Sequence, residues 1–308
     1  MRETTPAITV PAALAASTTE IFGPEWAAAL PGLTARQCDR WGLRPSGAPM
    51  HGLVSLVVPV RRADGSAAML KMQPVDEETE GEPIALAAWA GEGAVRLLDH
   101  DPDTGAMLLE PLSPGRDLSR VGITEALTVI GGLLARLTAH PAPAGLRGLG
   151  GVTLDLAERA EAIVAAGLLS EADGARLADL AARAREIAAE PGDRLLHWDL
   201  HYENVLAPLP GADREPWLAI DPKPLAGDPA FDLEPALDNR WDEAVATGDP
   251  RRATRFRFDL LTEVTGLKRD RARAWTLVRV LQECVWAVDD GADRLPPVHV
   301  TIAEAMGL

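Results

Sequence analysis

The spacing of apolar residues changes along the chain and separates a strand-rich first part from a helical second part. Leu53–Arg62 and Ser66–Gln73 are apolar β-type runs joined by the short Gly-containing segment 63–65, a pattern that predicts a hairpin. Ala94–Leu98 and Ala106–Glu110 predict two more short strands, separated by turn residues. The first part of the chain is therefore expected to contain a small sheet.

Helical spacing dominates most of the remaining chain. Leu and Ile recur every three or four residues in the second part, which is typical of amphipathic helices. In the first part, Ala-rich turns also predict helices. The segment that contains Leu86 and Trp89 predicts another helix, because its first turn is acidic. The predicted helices are Pro11–Leu30, Thr34–Trp41, Asp76–Ala90, Thr124–His140, Thr153–Gly167 and Ser170–Ala189, followed by further helices from Pro229 to the end.

One segment, Arg194–Pro224, interrupts the helical part with short apolar runs that predict buried strands and turns. A strand-rich portion joined by a short hinge to a helical portion indicates an α+β fold with two lobes, β-rich and mainly helical. We divide the chain into residues 1–112, with the leading helices and the sheet, and residues 113–308, with the interrupting segment.

The net charge of −16 over 308 residues leaves no basic surface for nucleic acid or an anionic membrane. Such a polyanion attracts cationic small molecules, although solubility alone would also account for the charge.

No apolar run is long enough to span a membrane, and only Cys38 and Cys284 are present. We therefore expect a cytoplasmic protein without disulfides. We interpret the first residues as a mature N-terminus, because Glu3, Pro6 and Pro11 do not suit a signal peptide.

The strongest chemical signal lies in the interrupting segment. His197-x-Asp199 is followed five residues later by Asn204 and, seventeen residues after that, by Asp221. This spacing matches the catalytic apparatus of kinases. Phosphoryl transfer requires a carboxylate that orients and deprotonates the acceptor hydroxyl, and Asp199 suits that role. It also requires oxygen ligands for magnesium, for which Asn204 and Asp221 are the candidates.

Two other interpretations of the histidines remain open. His197 and His201 are spaced as a zinc-binding pair would be on one face of a helix, although the Pro-Gly and Leu-Leu pairs before His197 favour a strand entering a loop. Alternatively, His197 is a buried residue that bonds backbone carbonyls and supports the loop. The pair Asp228-Pro229 indicates the start of a helix, with Asp228 as its N-cap. In that position Asp228 would also brace the catalytic loop.

The nucleotide-binding residues are predicted in the first part of the chain. Lys71 lies in the second run of the hairpin, where kinases place the lysine that holds the α- and β-phosphates. Only three basic residues are lysines, Lys71, Lys223 and Lys268, which suggests that a compact charge is needed where lysine is used. Glu82, in the next helix, is the candidate ion-pair partner of Lys71. Backbone groups of Leu109, Glu110 and Leu112 are candidates for binding an adenine edge.

The segments LVVPVRRADGSAAMLK, HWDLHYENVL and WLAIDPKPLAGDPAFDL resemble the aminoglycoside phosphotransferase superfamily, and within it the streptomycin 6-phosphotransferases and hydroxyurea phosphotransferases. The resemblance implies a protein-kinase-like fold and the use of ATP and Mg²⁺. It also implies that Asp199 is the base, that Asn204 and Asp221 hold magnesium, and that Lys71 holds the ATP phosphates. Two positions depart from the wider superfamily: Trp198 replaces the usual Gly, and Lys223 replaces an acidic residue.

The resemblance also implies which cationic molecule is the substrate, namely streptomycin. Streptomycin carries guanidinium groups, which carboxylates bind in a bidentate manner and tryptophans stack upon. The candidate substrate-binding residues are Asp238, Trp241, Glu283, Trp286 and Asp289. We predict a monomeric streptomycin 6-kinase that confers antibiotic resistance. The alternatives are a kinase for hydroxyurea or another small hydroxyl compound, a non-catalytic pseudokinase and a metallohydrolase.

Overall fold

The computed structural model describes residues 8–308, which form two compact units. The first unit runs to Ser113 and includes a later segment, Pro208–Arg214. The second unit consists of Pro114–Ala207 and Glu215–Leu308. The sequence-based division into 1–112 and 113–308 does not anticipate the return of Pro208–Arg214 to the first unit. Residues 1–7, which include Glu3 and Pro6 of the predicted mature N-terminus, lie outside the described residues.

The first unit contains a six-stranded sheet in the order β1-β3-β4-β6-β5, with β2 also paired to β3. The predicted hairpin is present, because β3 and β4 pair antiparallel from Leu56 with Met72 to Arg61 with Ala67. The strands are β1 Arg44–Pro45, β2 Met50–His51, β3 Leu56–Arg61, β4 Ala67–Met72, β5 Leu97–Asp101 and β6 Ala106–Leu109, and β7 Leu112–Asp117 follows them. The sequence analysis did not predict β1, β2 or β7.

Three helices accompany this sheet: α1 Ala12–Phe22, α2 Pro24–Trp41 and α3 Glu82–Trp89. Alternate residues of a strand point to opposite faces. Val58 and Leu70 therefore join the apolar core that also contains Leu14 and Leu30 of α1 and α2. Lys71 is on the opposite face of β4 from Leu70.

Helix α3 begins at Glu82, whereas the sequence predicted a helix from Asp76. The Asp76 carboxylate accepts hydrogen bonds from the backbone N–H groups of Glu78 and Thr79, both at 2.9 Å, and Thr79 Oγ1 donates to the Pro74 carbonyl at 2.8 Å. These bonds use local polar groups in a turn, which competes with helix formation. The acidic residues 76–80 therefore precede the helix.

The second unit is mainly helical and is built around the long helix α10 (Arg269–Asp289), whose residue Trp275 is fully buried. The α+β class predicted from the sequence is confirmed. The helices are α4 Ile123–Leu137, α5 Leu149–Ala165, α6 Glu171–Ile187, α7 Glu234–Asp238, α8 Trp241–Ala246, α9 Pro250–Thr265, α10 Arg269–Asp289 and α11 Pro297–Met306. The short strands are β8 Arg194–Leu195, β9 Val205–Pro208, β10 Leu218–Ala219 and β11 Ala226–Gly227. Within residues 8–308, no helix is sufficiently long and apolar to cross a membrane.

Candidate active site

The segment that carries the predicted catalytic residues follows β8 directly and is fixed by a buried carboxylate. Asp232, which is fully buried, accepts hydrogen bonds from the backbone N–H groups of His197 and Trp198 at 2.8 and 2.9 Å. Burial raises the pKa of Asp232 to about 7, and the two backbone donors act against that rise. Because consecutive peptide groups are bonded to one side chain, Asp232 holds the start of the catalytic segment in place.

His197 connects this segment to the end of β10. Asp199 N–H donates to His197 Nδ1 at 3.3 Å, and His197 Nε2 donates to the Ile220 carbonyl at 3.0 Å. Burial lowers the pKa of His197 to about 4, so the ring is neutral at pH 7. The interpretation of His197 as a buried supporting histidine is confirmed.

The possible zinc pair of His197 and His201 does not form in the structure. His201 precedes a short 3-10 turn, and its Nδ1 accepts the Glu203 N–H at 3.3 Å. No helix contains both histidines, so their side chains do not share a helical face. The helical histidine pair on which the metallohydrolase alternative was based is therefore absent from this segment.

Asn204 and Asp221 lie at the same end of two paired strands. β9, which begins after Asn204, pairs antiparallel with β10, and Ile220 N–H donates to the Asn204 carbonyl at 2.9 Å. The Asn204 side chain donates from Nδ2 to the Asp199 carbonyl at 2.8 Å. The Asn204 amide oxygen and the Asp221 carboxylate are hard oxygen donors of the kind that magnesium prefers. The structure therefore brings the predicted metal ligands and Asp199 into one loop region.

Trp198, between His197 and Asp199, adopts a backbone conformation that favours glycine. Its φ is 66°, in the left-handed region where a Cβ atom is strained. The ring is 2% exposed and packs against Trp286, with ring centroids 6.3 Å apart. The guanidinium groups of Arg147 and Arg279 lie 5.3 and 5.7 Å from the Trp198 ring centroid. Packing around the ring compensates the backbone strain that the usual glycine would avoid.

We expect Trp198→Gly to be more stable than Trp198→Ala, by up to about 1 kcal/mol, because glycine has no Cβ to strain at positive φ. Both variants should be less stable than the parent by roughly 3–5 kcal/mol, because a buried ring is lost. Urea unfolding of the three proteins measures these differences.

Trp275 provides the matched control, because it is also buried but lies inside α10. There the order should reverse, with Trp275→Ala more stable than Trp275→Gly by about 1 kcal/mol. If Trp198→Ala were as stable as Trp198→Gly or more so, the strain at Trp198 would be contradicted.

The predicted Lys71–Glu82 ion pair is present. Lys71 Nζ lies 2.7 Å from both carboxylate oxygens of Glu82, and the two residues are 4% and 1% exposed. Gln73 Nε2 donates to Glu82 Oε2 at 2.7 Å. Lys71 belongs to β4, which has β3 on one side and β6 on the other, so it is not an exposed edge residue. Its predicted role in phosphate binding stays a prediction.

The predicted adenine-binding segment is already engaged within the first unit. Glu110 N–H donates to the Arg96 carbonyl at 3.0 Å, and the Glu110 carboxylate accepts Arg96 N–H at 2.7 Å. The same carboxylate forms an ion pair with Arg214, which ties the returning segment to the sheet. Leu109 and Leu112 are each 8% exposed. Adenine binding by these residues stays a prediction.

Two of the predicted substrate-binding residues surround a buried arginine of the protein itself. Arg279, on α10, lies 3.0 Å from Glu283 Oε1, and its guanidinium is 5.7 Å from the Trp286 ring centroid. Burial raises the pKa of Glu283 to about 6, and Arg279 acts against that rise. The combination of carboxylate and tryptophan that the sequence assigns to a substrate guanidinium therefore already holds a guanidinium.

Of the other predicted substrate-binding residues, Asp238 lies near Arg279 and Glu283, because the Arg279 charge acts on the Asp238 pKa and the Asp238 charge acts on the Glu283 pKa. Asp238 Oδ1 lies 3.8 Å from His299 Nε2, and burial raises the Asp238 pKa. Asp289 forms an exposed ion pair with Arg159. Trp241 is half-buried at the start of α8. The structure thus places Asp238, Glu283 and Trp286 around Arg279, and the roles of all five candidates stay predictions.

Sequence reasoning missed Asp232 and Arg279. Asp228 is an N-cap as predicted, because its carboxylate accepts Ala230 N–H at 2.9 Å, but the carboxylate that braces the catalytic segment belongs to Asp232. Arg279 precedes Glu283 by four residues and Trp286 by seven. That helical spacing would have indicated that the three share one face of α10.

Among solved structures, macrolide 2'-phosphotransferase from Brachybacterium faecium resembles this chain with a TM-score of 0.55 and 20% identity. The similarity covers 90% of this chain and 97% of that one. At this level of identity the likeness shows the fold, which is that of protein-kinase-like phosphotransferases. The predicted fold class is confirmed.

Curated relatives are much closer in sequence. Streptomycin 6-kinase from Streptomyces glaucescens is 52% identical over 97% of each chain. Hydroxyurea phosphotransferase from Kitasatospora aureofaciens is 55% identical over 92% of this chain and 81% of that protein. The profile of the aminoglycoside/hydroxyurea antibiotic resistance kinases matches residues 40–291. The chain belongs to this family, so it is a phosphotransferase with a hydroxyl acceptor, as the resemblance implied.

Proposed function

We propose that this protein transfers the γ-phosphoryl group of ATP to the 6-hydroxyl of streptomycin and thereby confers resistance to it. The observation that carries the proposal is the catalytic loop, in which Asp232 and His197 fix the backbone beside Asp199. The 52% identity to a streptomycin 6-kinase over nearly the whole length supports the choice of acceptor. We also propose that the enzyme acts as a cytoplasmic monomer without nucleic-acid or membrane partners.

The chain's own residues suit a magnesium nucleotide. Asn204 and Asp221 supply oxygen donors at one end of β9 and β10, where they would hold Mg²⁺. Bound there, the ion would neutralise charge on the phosphates. Lys71, held by Glu82, would bind the α- and β-phosphates. Asp199 would orient the acceptor hydroxyl and take its proton. Since Asp199, Asn204, Asp221 and Lys71 are all present, a pseudokinase is disfavoured.

A second candidate acceptor is hydroxyurea, because the hydroxyurea phosphotransferase relative is 55% identical. The net charge of −16 favours the cationic acceptor over this small neutral one. Asp238, Trp241 and Asp289 would contact the substrate, whereas Glu283 and Trp286 are engaged by Arg279 of the protein itself.

The test is ATP turnover, coupled to ADP detection, against a panel of streptomycin, other aminocyclitols and hydroxyurea. We expect streptomycin to give the highest kcat/KM. Mass spectrometry of the product should show one added phosphoryl group, and NMR should place it on the 6-oxygen. Turnover of hydroxyurea without turnover of streptomycin would overturn the acceptor assignment and leave the kinase chemistry intact.

A further inference from the structure

Lys223 places a positive charge beside the proposed base. It lies two residues after Asp221, and its backbone N–H donates to the His197 carbonyl at 3.0 Å. Its Nζ is 3.7 Å from Asp199 Oδ2, and the two side chains are 36% and 25% exposed. The backbone bond fixes the start of the side chain, and the side chain is partly exposed.

An ion pair with this exposure and distance contributes little to stability, typically below about 1 kcal/mol. The ion pair between Lys223 and Asp199 therefore contributes little to the stability of the folded protein. The position of the Lys223 charge calls for another explanation, and the chemistry proposed for Asp199 supplies one.

The acceptor oxygen must lie within about 2.6–3.2 Å of the Asp199 carboxylate for proton transfer. The phosphorus atom that it attacks must lie roughly 3–3.5 Å from that oxygen. An ammonium group 3.7 Å from the same carboxylate, on a flexible stem, can therefore reach an oxygen of the phosphoryl group. Negative charge is spread over those oxygens in the transition state.

We propose that Lys223 is a catalytic residue whose ammonium group donates to an equatorial oxygen of the phosphoryl group during transfer. This inference rests on the proposed function. The acceptor oxygen forms a bond to phosphorus, the bond from phosphorus to the ADP oxygen breaks, and Asp199 takes the hydroxyl proton. Lys223 remains protonated throughout and contributes only charge and a hydrogen bond.

Lys223→Met removes the charge and keeps most of the side-chain length. We expect kcat to fall roughly 100-fold, the effect typical of losing one donor to developing charge. KM for streptomycin and MgATP should change less than about threefold, because the contact is made in the transition state. Lys268→Met, at the exposed start of α10, should leave kcat unchanged. A kcat within threefold of the parent for Lys223→Met would overturn the proposal.

Chemical rescue separates charge from structure. Lys223→Cys treated with bromoethylamine regains an ammonium group at nearly the lysine position, and we expect at least about tenfold recovery of kcat. Treatment with iodoacetamide, which adds a neutral amide, should give no recovery. Burial raises the pKa of the native thiols of Cys38 and Cys284 to about 11 and about 12, which protects them from alkylation. Equal recovery with both reagents would contradict a role for the charge.

Binding measurements provide a readout that does not depend on turnover. MgADP with aluminium fluoride and streptomycin mimics the transferring group, and Lys223→Met should bind this mixture roughly 100-fold more weakly while MgADP affinity stays unchanged. Unchanged affinity for the mimic would overturn the proposal. If Asp199→Asn is inactive and Lys223→Met is active, the catalytic role of Lys223 is rejected and the proposed function stands. If the parent enzyme phosphorylates no member of the panel, the proposed function itself is rejected.

Discussion

Replacement of Asp199 by Asn should lower kcat by roughly 100- to 10,000-fold, the usual contribution of a general base. The variant keeps the size and shape of the side chain and removes its ability to accept a proton. The shorter hydrogen bond of Asn204 Nδ2 goes to the Asp199 backbone carbonyl at 2.8 Å, which the substitution leaves in place, and the carboxylate oxygen Oδ2 is a longer 3.5 Å away. We therefore expect MgATP affinity, measured by calorimetry, to stay within about threefold of the parent value.

Asp193→Asn is the matched control, because the Asp193 carboxylate is 90% exposed and lies just before the catalytic segment. It removes one negative charge from the same region and should leave kcat unchanged. Near-normal turnover of Asp199→Asn would remove this residue from the role of base. A loss of MgATP binding in that variant would instead indicate that Asp199 acts on the metal.

The predicted residues that the structure brings together belong to short, local patterns. Lys71 was predictable because the hairpin is a local structure and lysine is rare in this chain. Glu82 follows Lys71 by eleven residues, and the alternation of β4 places Lys71 on the face opposite the α1–α2 core. The Asp199, Asn204 and Asp221 positions were predictable for the same reason, since a strand, a short loop and a second strand bring them together.

The residues that the sequence missed depend on contacts between distant segments. Asp232 reaches His197 and Trp198 from thirty-four to thirty-five residues away. Arg279 lies over the rings of Trp198, Phe231 and Trp286, which come from different parts of the chain. No local spacing specifies such packing. Glu283 and Trp286 were predicted to bind a substrate cation, and in the structure they contact Arg279.

The positive φ of Trp198 was not predicted, although the usual glycine at this position signals a left-handed backbone. A tryptophan where the wider superfamily has glycine indicates an ordinary extended or helical backbone by propensity alone. The structure retains the left-handed conformation, because Asp232 bonds the Trp198 N–H at 2.9 Å and neighbouring rings and guanidinium groups hold the side chain. Tertiary contacts override the local preference at this position.

Asp221 is the residue whose loss should most affect nucleotide binding. It is proposed to hold magnesium together with Asn204, and a divalent ion between the protein and the phosphates is needed for tight MgATP binding. Mutation of groups that merely orient metal ligands costs about 10- to 100-fold in affinity. Removal of a direct ligand should therefore cost at least about 100-fold.

We expect Asp221→Ala to lose magnesium-dependent ATP binding in calorimetry and to lose turnover with it. The 59° φ of Asp221 lies in the left-handed region, so Asp221→Gly should be made in parallel to separate backbone strain from the lost carboxylate. Both variants should lose MgATP affinity to the same extent, because both lack the ligand. Glu203→Gln, an exposed carboxylate in the same loop, should bind MgATP normally. Unchanged MgATP affinity in Asp221→Gly would exclude Asp221 as a metal ligand, and Asn204 would then need a different partner.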